Sequence, residues 1–227
     1  MCEAIVQTCD AFAALAPLPW SAGSIDPVAG LPGGKAVQGV AKRERLVKPK
    51  MRLRAIVVRD GQPVSVEVRW GWVPDWSMGA RAPLTHLSLE QVMRASQYAR
   101  LRGQGRALIP VEGWYESTVD GAQAKRTRQA FVTSRSAGPL FLAAIAHVGE
   151  HPSGCDGLAL VTHDAGSGTE LLALDAQAAQ AWLATDLDWQ RAQTLANSVI
   201  GEAQLEQLFI AKRQQTGTQR KAFGLAG

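Results

Sequence analysis

The stretch from which the fold can be read is Arg52-Leu53-Arg54-Ala55-Ile56-Val57-Val58-Arg59-Asp60-Gly61-Gln62-Pro63-Val64-Ser65-Val66-Glu67-Val68-Arg69-Trp70. Its first eight residues carry a β-branched apolar run and read as a strand. Asp60-Gly61 is a tight-turn pair, suited to the positive φ angles that a two-residue hairpin loop demands. From Pro63 to Trp70 apolar and polar residues alternate, which is the period of a returning strand with one buried face. A β-hairpin follows.

Outward from the hairpin, short strands are expected over 107–111, 113–117, 129–133, 140–147 and 158–162. Ser88-Leu89-Glu90-Gln91 has the form of a capping box and opens a helix expected to run to about Leu101. A second helix is expected from Asp175 through Trp182, with more helix to about Ala211. Residues 12–41 are rich in Ala, Pro and Gly; a short helix over 10–16 and then a loop are expected there. No internal repeat and no clear linker interrupts the pattern. The economical reading is one α+β domain over 1–211, followed by a basic, flexible tail over 212–227.

Composition narrows the function. The chain has 227 residues, 46% of them apolar and 19% charged, which fits a globular protein with a real core and excludes wholesale disorder. No apolar run approaches the length of a membrane span, and no signal peptide is seen. The three cysteines, Cys2, Cys9 and Cys155, form no CxxC pair. That argues against a disulfide framework and a cysteine-rich zinc site, and fits a reducing cytoplasm.

The net charge of +4 is unevenly spread. Residues 1–149 carry 19 basic and 11 acidic side chains, whereas 150–227 carry 5 and 9. Eight basic residues, Arg43 among them, fall between Lys42 and Arg59 with one acid, Glu44. Such a stretch is either a phosphate-binding surface or the solvated face of a strand. Trp70, Trp72, Trp76 and Trp114 lie in the same basic half. They either stack on bases in a single-stranded nucleic-acid groove or fill the core.

Two features could carry chemistry. Cys2 follows the initiator Met, and its small side chain permits Met removal. An N-terminal cysteine offers an amine and a thiol on adjacent carbons, and the pair can condense with an aldehyde to a five-membered ring. The second is Pro110-Val111-Glu112-Gly113-Trp114-Tyr115-Glu116, where a carboxylate at a strand end beside aromatics could shuttle protons. Each also has a plain reading, an incidental cysteine and a surface glutamate.

Met1-Cys2, Arg69-Trp70-Gly71-Trp72-Val73-Pro74-Asp75-Trp76, Ala80-Arg81-Ala82 and Arg106-Ala107-Leu108-Ile109-Pro110-Val111-Glu112-Gly113-Trp114-Tyr115-Glu116 occur in the order and spacing of the SOS response-associated peptidase family (SRAP, DUF159). The sequence resembles that family over about residues 2–183. The resemblance implies a mixed, curved or barrel-like sheet flanked by helices. It also implies capture of abasic sites in single-stranded DNA as a thiazolidine crosslink through Cys2, without metal or cofactor. Glu116 matches the proton-transferring glutamate and Arg81 the phosphate-binding arginine. Trp70, Trp72 and Trp76 match the aromatic loop near the DNA, flanked by Arg69, with Arg43 in the basic stretch as a further DNA contact. Several positions depart from the family pattern. Glu3 and Ala4 follow Cys2 where the family has Gly-Arg, Gly79 replaces an asparagine, Pro83 a glutamate and Ala107 a cysteine. The segment carrying the family histidine is missing between Glu170 and Leu172, so His163, or else His86, is expected to substitute. A binding module of the same fold without chemistry, and a thiol peptidase, are the competing functions.

Overall fold

The computed structural model describes residues 2–8, 44–77, 82–119, 127–135, 139–149, 156–165, 168–197 and 204–209. In chain order the strands are β1 (Cys2–Gln7), β2 (Arg45–Val47), β3 (Arg52–Arg59), β4 (Gln62–Arg69), β5 (His86–Ser88), β6 (Arg106–Val111), β7 (Gly113–Val119), β8 (Thr127–Ser134), β9 (Leu140–His147), β10 (Gly157–Asp164), β11 (Thr169–Leu171), β12 (Ala173–Leu174) and β13 (Leu205–Phe209). The helices are α1 (Leu89–Arg94), α2 (Ala99–Gln104), α3 (Ala176–Leu183) and α4 (Trp189–Asn197).

The hairpin expected from the sequence is β3–β4, paired from Arg52 opposite Arg69 to Arg59 opposite Gln62. Asp60 and Gly61 both have positive φ, 50° and 72°, as a turn matched to the strand twist requires. Strand β4 ends the order β11-β10-β9-β6-β3-β4, where Pro63 has no ladder bond to forfeit. Strand β12 adds to β9 and β5 to β10. The β5–β10 pairing is parallel, whereas the other named strand pairs are antiparallel, so this sheet is mixed. A second sheet has the order β13-β8-β7-β1-β2. Neither strand order closes on itself among the described residues, and the expectation of an α+β fold with a mixed sheet flanked by helices holds.

The period of two explains the layering. Ala107, Ile109 and Val111 of β6 join a cluster with Ile5, Val47, Trp114 and Val132 of the second sheet. Leu108, between them in sequence, faces the other way and joins Phe141, Val92, Trp182 and Leu195. The first cluster fills the space between the sheets and the second lies under the helices. Gln7, 3% exposed, clips the layers together. Its amide donates to Arg54 O (2.9 Å) and Pro110 O (3.0 Å), and its carbonyl accepts from Arg54 N (3.1 Å). A buried amide so satisfied costs little and fixes β1 against β3 and β6.

The chain passes from one sheet to the other at Glu112-Gly113. Glu112 N donates to Val6 O (2.8 Å). A Cβ at Gly113 would lie 2.4 Å from Val132 O, so only glycine fits the corner.

The helices differ from expectation in two ways. The helix over 88–101 is interrupted. Ser88 does cap α1 through a complete capping box, but Arg102 folds back and donates to Val92 O (3.3 Å) and Met93 O (2.6 Å). Those carbonyls end α1, and Ala95 turns extended before α2. Helix after Trp182 does not run to Ala211: α4 ends at Asn197, and 205–209 is the edge strand β13, drawn into pairing with β8. Strand β1 at the start of the chain, on which the candidate site is built, has no counterpart among the strands expected from the sequence. Asp175 does cap α3, accepting from Ala178 N (2.8 Å). The helix expected over 10–16 and the tail over 212–227 lie outside the described residues.

Candidate active site

Cys2 starts β1, and its Cα partner on β7 is Glu116. The register slips between Cys2 and Ala4, the kind of irregularity that re-aims a side chain at a strand end. Cys2 is 6% exposed and packs in the cluster between the sheets, with Trp70 and Trp114. Its Sγ donates weakly to Ala4 O (3.6 Å). Burial pushes the thiol up to about 12, and the nearby Glu116 and Glu3 carboxylates push the same way. The hydrogen bond to Ala4 O and, less strongly, the positive chain N-terminus oppose burial without prevailing. The resting thiol is therefore protonated at neutral pH.

Glu116 is half-buried. Trp114 Nε1, two residues earlier on the same face of β7, donates to its Oε2 (3.4 Å). Gln207 Nε2 on β13 donates to its Oε1 (3.4 Å). Both bonds are long, so the carboxylate is oriented but not saturated and keeps acceptor capacity. Gln207 carries no sequence signal; only the unforeseen strand β13 brings it here. Glu3 is exposed and accepts from Ser117 Oγ and from Gln129 Nε2 (2.9 Å).

His86 and His163 fall in different surroundings. His86 starts β5; its Nδ1 lies 3.0 Å from Thr85 Oγ1, and its ring packs edge-on against Trp70 with centroids 5.9 Å apart. Burial first, and then the positive chain N-terminus, lower it to about 4. His163 sits on β10 opposite Glu170 of β11. It is also lowered, by burial, but the charges acting on it are those of Glu170 and Asp164. The N-terminal charge thus bears on His86 and on Cys2, and the influences on His163 come from its own end of the sheet.

The tryptophans divide in the same way. Trp70 is 0% exposed, with Nε1 donating to Thr85 O (3.0 Å), and Trp72 is 4% exposed against Tyr98. Their rings are core, which corrects the expectation that all three tryptophans face DNA. Trp76, on a 3-10 turn over Asp75–Ser77, is 50% exposed. Arg69 is half-buried at the end of β4. Arg43 and Arg81 lie outside the described residues.

Part of the basic stretch lies on the turn between β2 and β3, and the rest along β3. Arg45, Lys48, Lys50, Arg52 and Arg59 are exposed, as are the apolar Leu46 and Met51. Arg45 pairs with Glu67 at 3.6 Å and Arg52 donates to Glu67 O. The turn is tied to the site region, since Lys50 N donates to Trp70 O (2.6 Å) and Trp70 N to Met51 O (2.9 Å). Among the described residues no group of three or more His, Cys, Asp or Glu side chains could hold a metal ion. No helix among them is long and apolar enough to cross a membrane.

The family profile described as SOS response associated peptidase (SRAP) matches residues 34–213. The abasic site processing protein YedK of Escherichia coli K12 is 27% identical over 160 residues, spanning 67% of this chain and 69% of its own. A phage-related protein of Bordetella bronchiseptica has a similar structure, with a TM-score of 0.67 and 20% identity over 92% of this chain and 94% of its own. A protein from Bacteroides thetaiotaomicron follows with a TM-score of 0.56 and 12% identity, covering 74% of this chain and 78% of its own. At these identities the structural likenesses speak for the fold alone.

Proposed function

Because this chain belongs to the SOS response associated peptidase family, we propose that it captures abasic sites in single-stranded DNA as a covalent thiazolidine, through Cys2 after removal of Met1. The observation that carries the proposal is the pairing of Cys2 with Glu116 across β1 and β7. The similarity to YedK, named for abasic site processing, supports the same substrate.

The chemistry needs an amine, a thiol and a proton acceptor at one place. The α-amine of Cys2 attacks the aldehyde carbon of the opened sugar, and loss of water gives an iminium. The thiol then adds to that carbon. The S–C bond closes the ring, the C=N electron pair returns to nitrogen, and the thiol proton leaves. With the thiol pushed up to about 12, a preformed thiolate is scarce at neutral pH. Proton removal must accompany sulfur attack, and Glu116 is the carboxylate opposite Cys2 in register to accept it. The exposed Lys48, Lys50 and Arg52 contact the phosphate backbone, and Trp76 stacks on a base.

A second reading, a nucleic-acid-binding module without chemistry, is favoured by the 6% exposure of Cys2, which leaves little room for an incoming sugar. One experiment separates the two. The chain and its Cys2→Ala variant are mixed with a single-stranded oligonucleotide carrying one abasic site and run on a denaturing gel, with the N-terminal mass read in parallel. Capture gives a denaturation-resistant adduct only with Cys2. Retarded mobility on a native gel without any adduct, in a protein shown to lack Met1, supports the module instead.

A further inference from the structure

Thiazolidine formation has two ends, and Glu116 serves one of them. The nitrogen end also needs proton traffic, because the attacking amine must shed a proton and the carbinolamine oxygen must gain protons to leave as water. Glu116 stands opposite Cys2 in register, and its charge acts on the thiol. A group for the nitrogen end should be neutral at working pH, near the chain N-terminus, held in one orientation, and left with a ring nitrogen free of protein partners.

His86 meets each requirement. With Met1 in place, the charge of the chain N-terminus acts on its ring, as it does on the Cys2 thiol. The ring is fixed from two sides: Thr85 Oγ1 engages Nδ1 (3.0 Å), and Trp70 packs edge-on against it. Trp70 is itself locked by its bond to Thr85 O and belongs to the cluster that contains Cys2. Parallel pairing of His86 with Leu160 anchors β5 to the larger sheet. The second ring nitrogen, Nε2, is buried and has no hydrogen-bond partner. His163 Nε2 shares that state, so it is the contacts with Thr85 and Trp70, the latter in the Cys2 cluster, that single out His86.

We infer that His86 is the proton-transfer group for the nitrogen end of the capture reaction, acting through Nε2 while Glu116 serves the thiol end. This role rests on the capture reading above. As the amine attacks, the carbonyl electron pair moves onto oxygen. The proton shed by nitrogen passes to Nε2 and is returned to that oxygen. A second proton, drawn from water through the same ring, lets the oxygen leave as water and leaves the protonated iminium. When the thiol adds, its proton goes to Glu116 and on to water, so the proton count closes. The role requires Nδ1–H to donate to Thr85 Oγ1, which leaves Nε2 as the unprotonated nitrogen, so Thr85 is a positioning residue.

The test compares the full-length chain, Met1 removed, with His86→Gln, His86→Ala and His163→Ala, by the rate of adduct formation on abasic single-stranded DNA. Glutamine can still donate to the Thr85 hydroxyl oxygen but cannot relay a proton, and alanine leaves a cavity that free imidazole can enter. The expected result is adduct formation slowed at least 10-fold in both His86 variants, with noncovalent affinity for intact oligonucleotide within about twofold and imidazole restoring part of the His86→Ala rate. An unchanged rate in His86→Gln, or a slow His86→Ala that imidazole does not rescue, overturns the role. Slowing in His163→Ala with normal His86 variants assigns it to the other histidine. Absence of any adduct in the unaltered chain removes the capture reading itself, and this inference with it.

Discussion

Glu3 and Glu116 lie one residue apart in register along the same strand pair, yet they belong to opposite faces of the sheet. Glu116 stands opposite Cys2, with Trp114 and Gln207 donating to its two oxygens. Glu3 points outward and accepts from Ser117 and Gln129. The alternation of side chains along a strand accounts for the separation. An acid next to the nucleophile in sequence is thereby kept from acting as a second site carboxylate, although its charge still reaches the thiol.

Glu116→Gln tests the inward carboxylate. The amide keeps the shape and one acceptor oxygen, so Trp114 Nε1 can still be satisfied. The proton acceptor is lost. Adduct formation in single turnover should slow by about 10²–10⁴-fold, with the melting temperature nearly unchanged. A rate within threefold of the original would show that another group takes the thiol proton.

The Cys2 thiol makes a prediction about pH. Its ordinary value is 9.0 and burial carries it to about 12. Below pH 9 the thiol is protonated whether the chain is folded or not, and its burial is fully compatible with folding. Between pH 9 and about 12 the unfolded chain ionises first, so this contribution to stability is lost as pH rises. Denaturant midpoints should fall more steeply across that window for the parent than for Cys2→Ala. At pH 8, alkylation of Cys2 by iodoacetamide should be slow in the folded protein and speed up on unfolding.

The sequence made the hairpin legible because its signals are local. Asp60-Gly61 demands a tight turn, and the β3 and β4 patterns need no distant partner. The capping residues Ser88 and Asp175 were readable for the same reason. Strand β1 and strand β13 were not, since each is a strand by virtue of pairing with β7 and β8, and their own residues carry no clean alternation. The site follows the same rule. Cys2 and Glu116 can be named from motifs, but their opposition exists only once β1 is in the sheet. Trp70 and Trp72 show the limit of a motif: the spacing is right, yet the rings are buried. His86 drew its meaning from Thr85, Trp70 and the chain N-terminus, a set that no spacing in the sequence brings together.

The tryptophans should therefore separate in experiment. Trp76→Ala removes a half-exposed ring and should leave stability within about 0.5 kcal/mol. If the ring stacks on a base, affinity for single strands should drop by about 1–3 kcal/mol, roughly 5- to 150-fold. Trp70→Ala opens a cavity in the core and should cost about 3–5 kcal/mol of stability. Urea titration and fluorescence anisotropy on both variants read the two effects. An unaltered affinity in Trp76→Ala would exclude that ring from the DNA surface.

The basic turn carries the last prediction. Lys48 and Lys50 are exposed, and the turn is fastened to Trp70 through both partners of the Lys50–Trp70 and Trp70–Met51 backbone bonds. Backbone atoms make those bonds, so replacing the two side chains leaves the fastening intact. Arg45 and Arg52, by contrast, are engaged with Glu67 and would disturb β3–β4 if changed. Lys48→Gln with Lys50→Gln is therefore a clean removal of two positive charges. Each phosphate contact on a single strand contributes about 0.7 to the slope of log K against log salt. If both lysines touch phosphate, the slope for single-stranded DNA should become shallower by about 1.4, and affinity at low salt should fall uniformly across sequences. The adduct rate at saturating DNA should stay the same, because neither lysine lies in the Cys2–Glu116 pair. A slope unchanged by the double substitution would make the turn a solvated face and move the DNA path elsewhere.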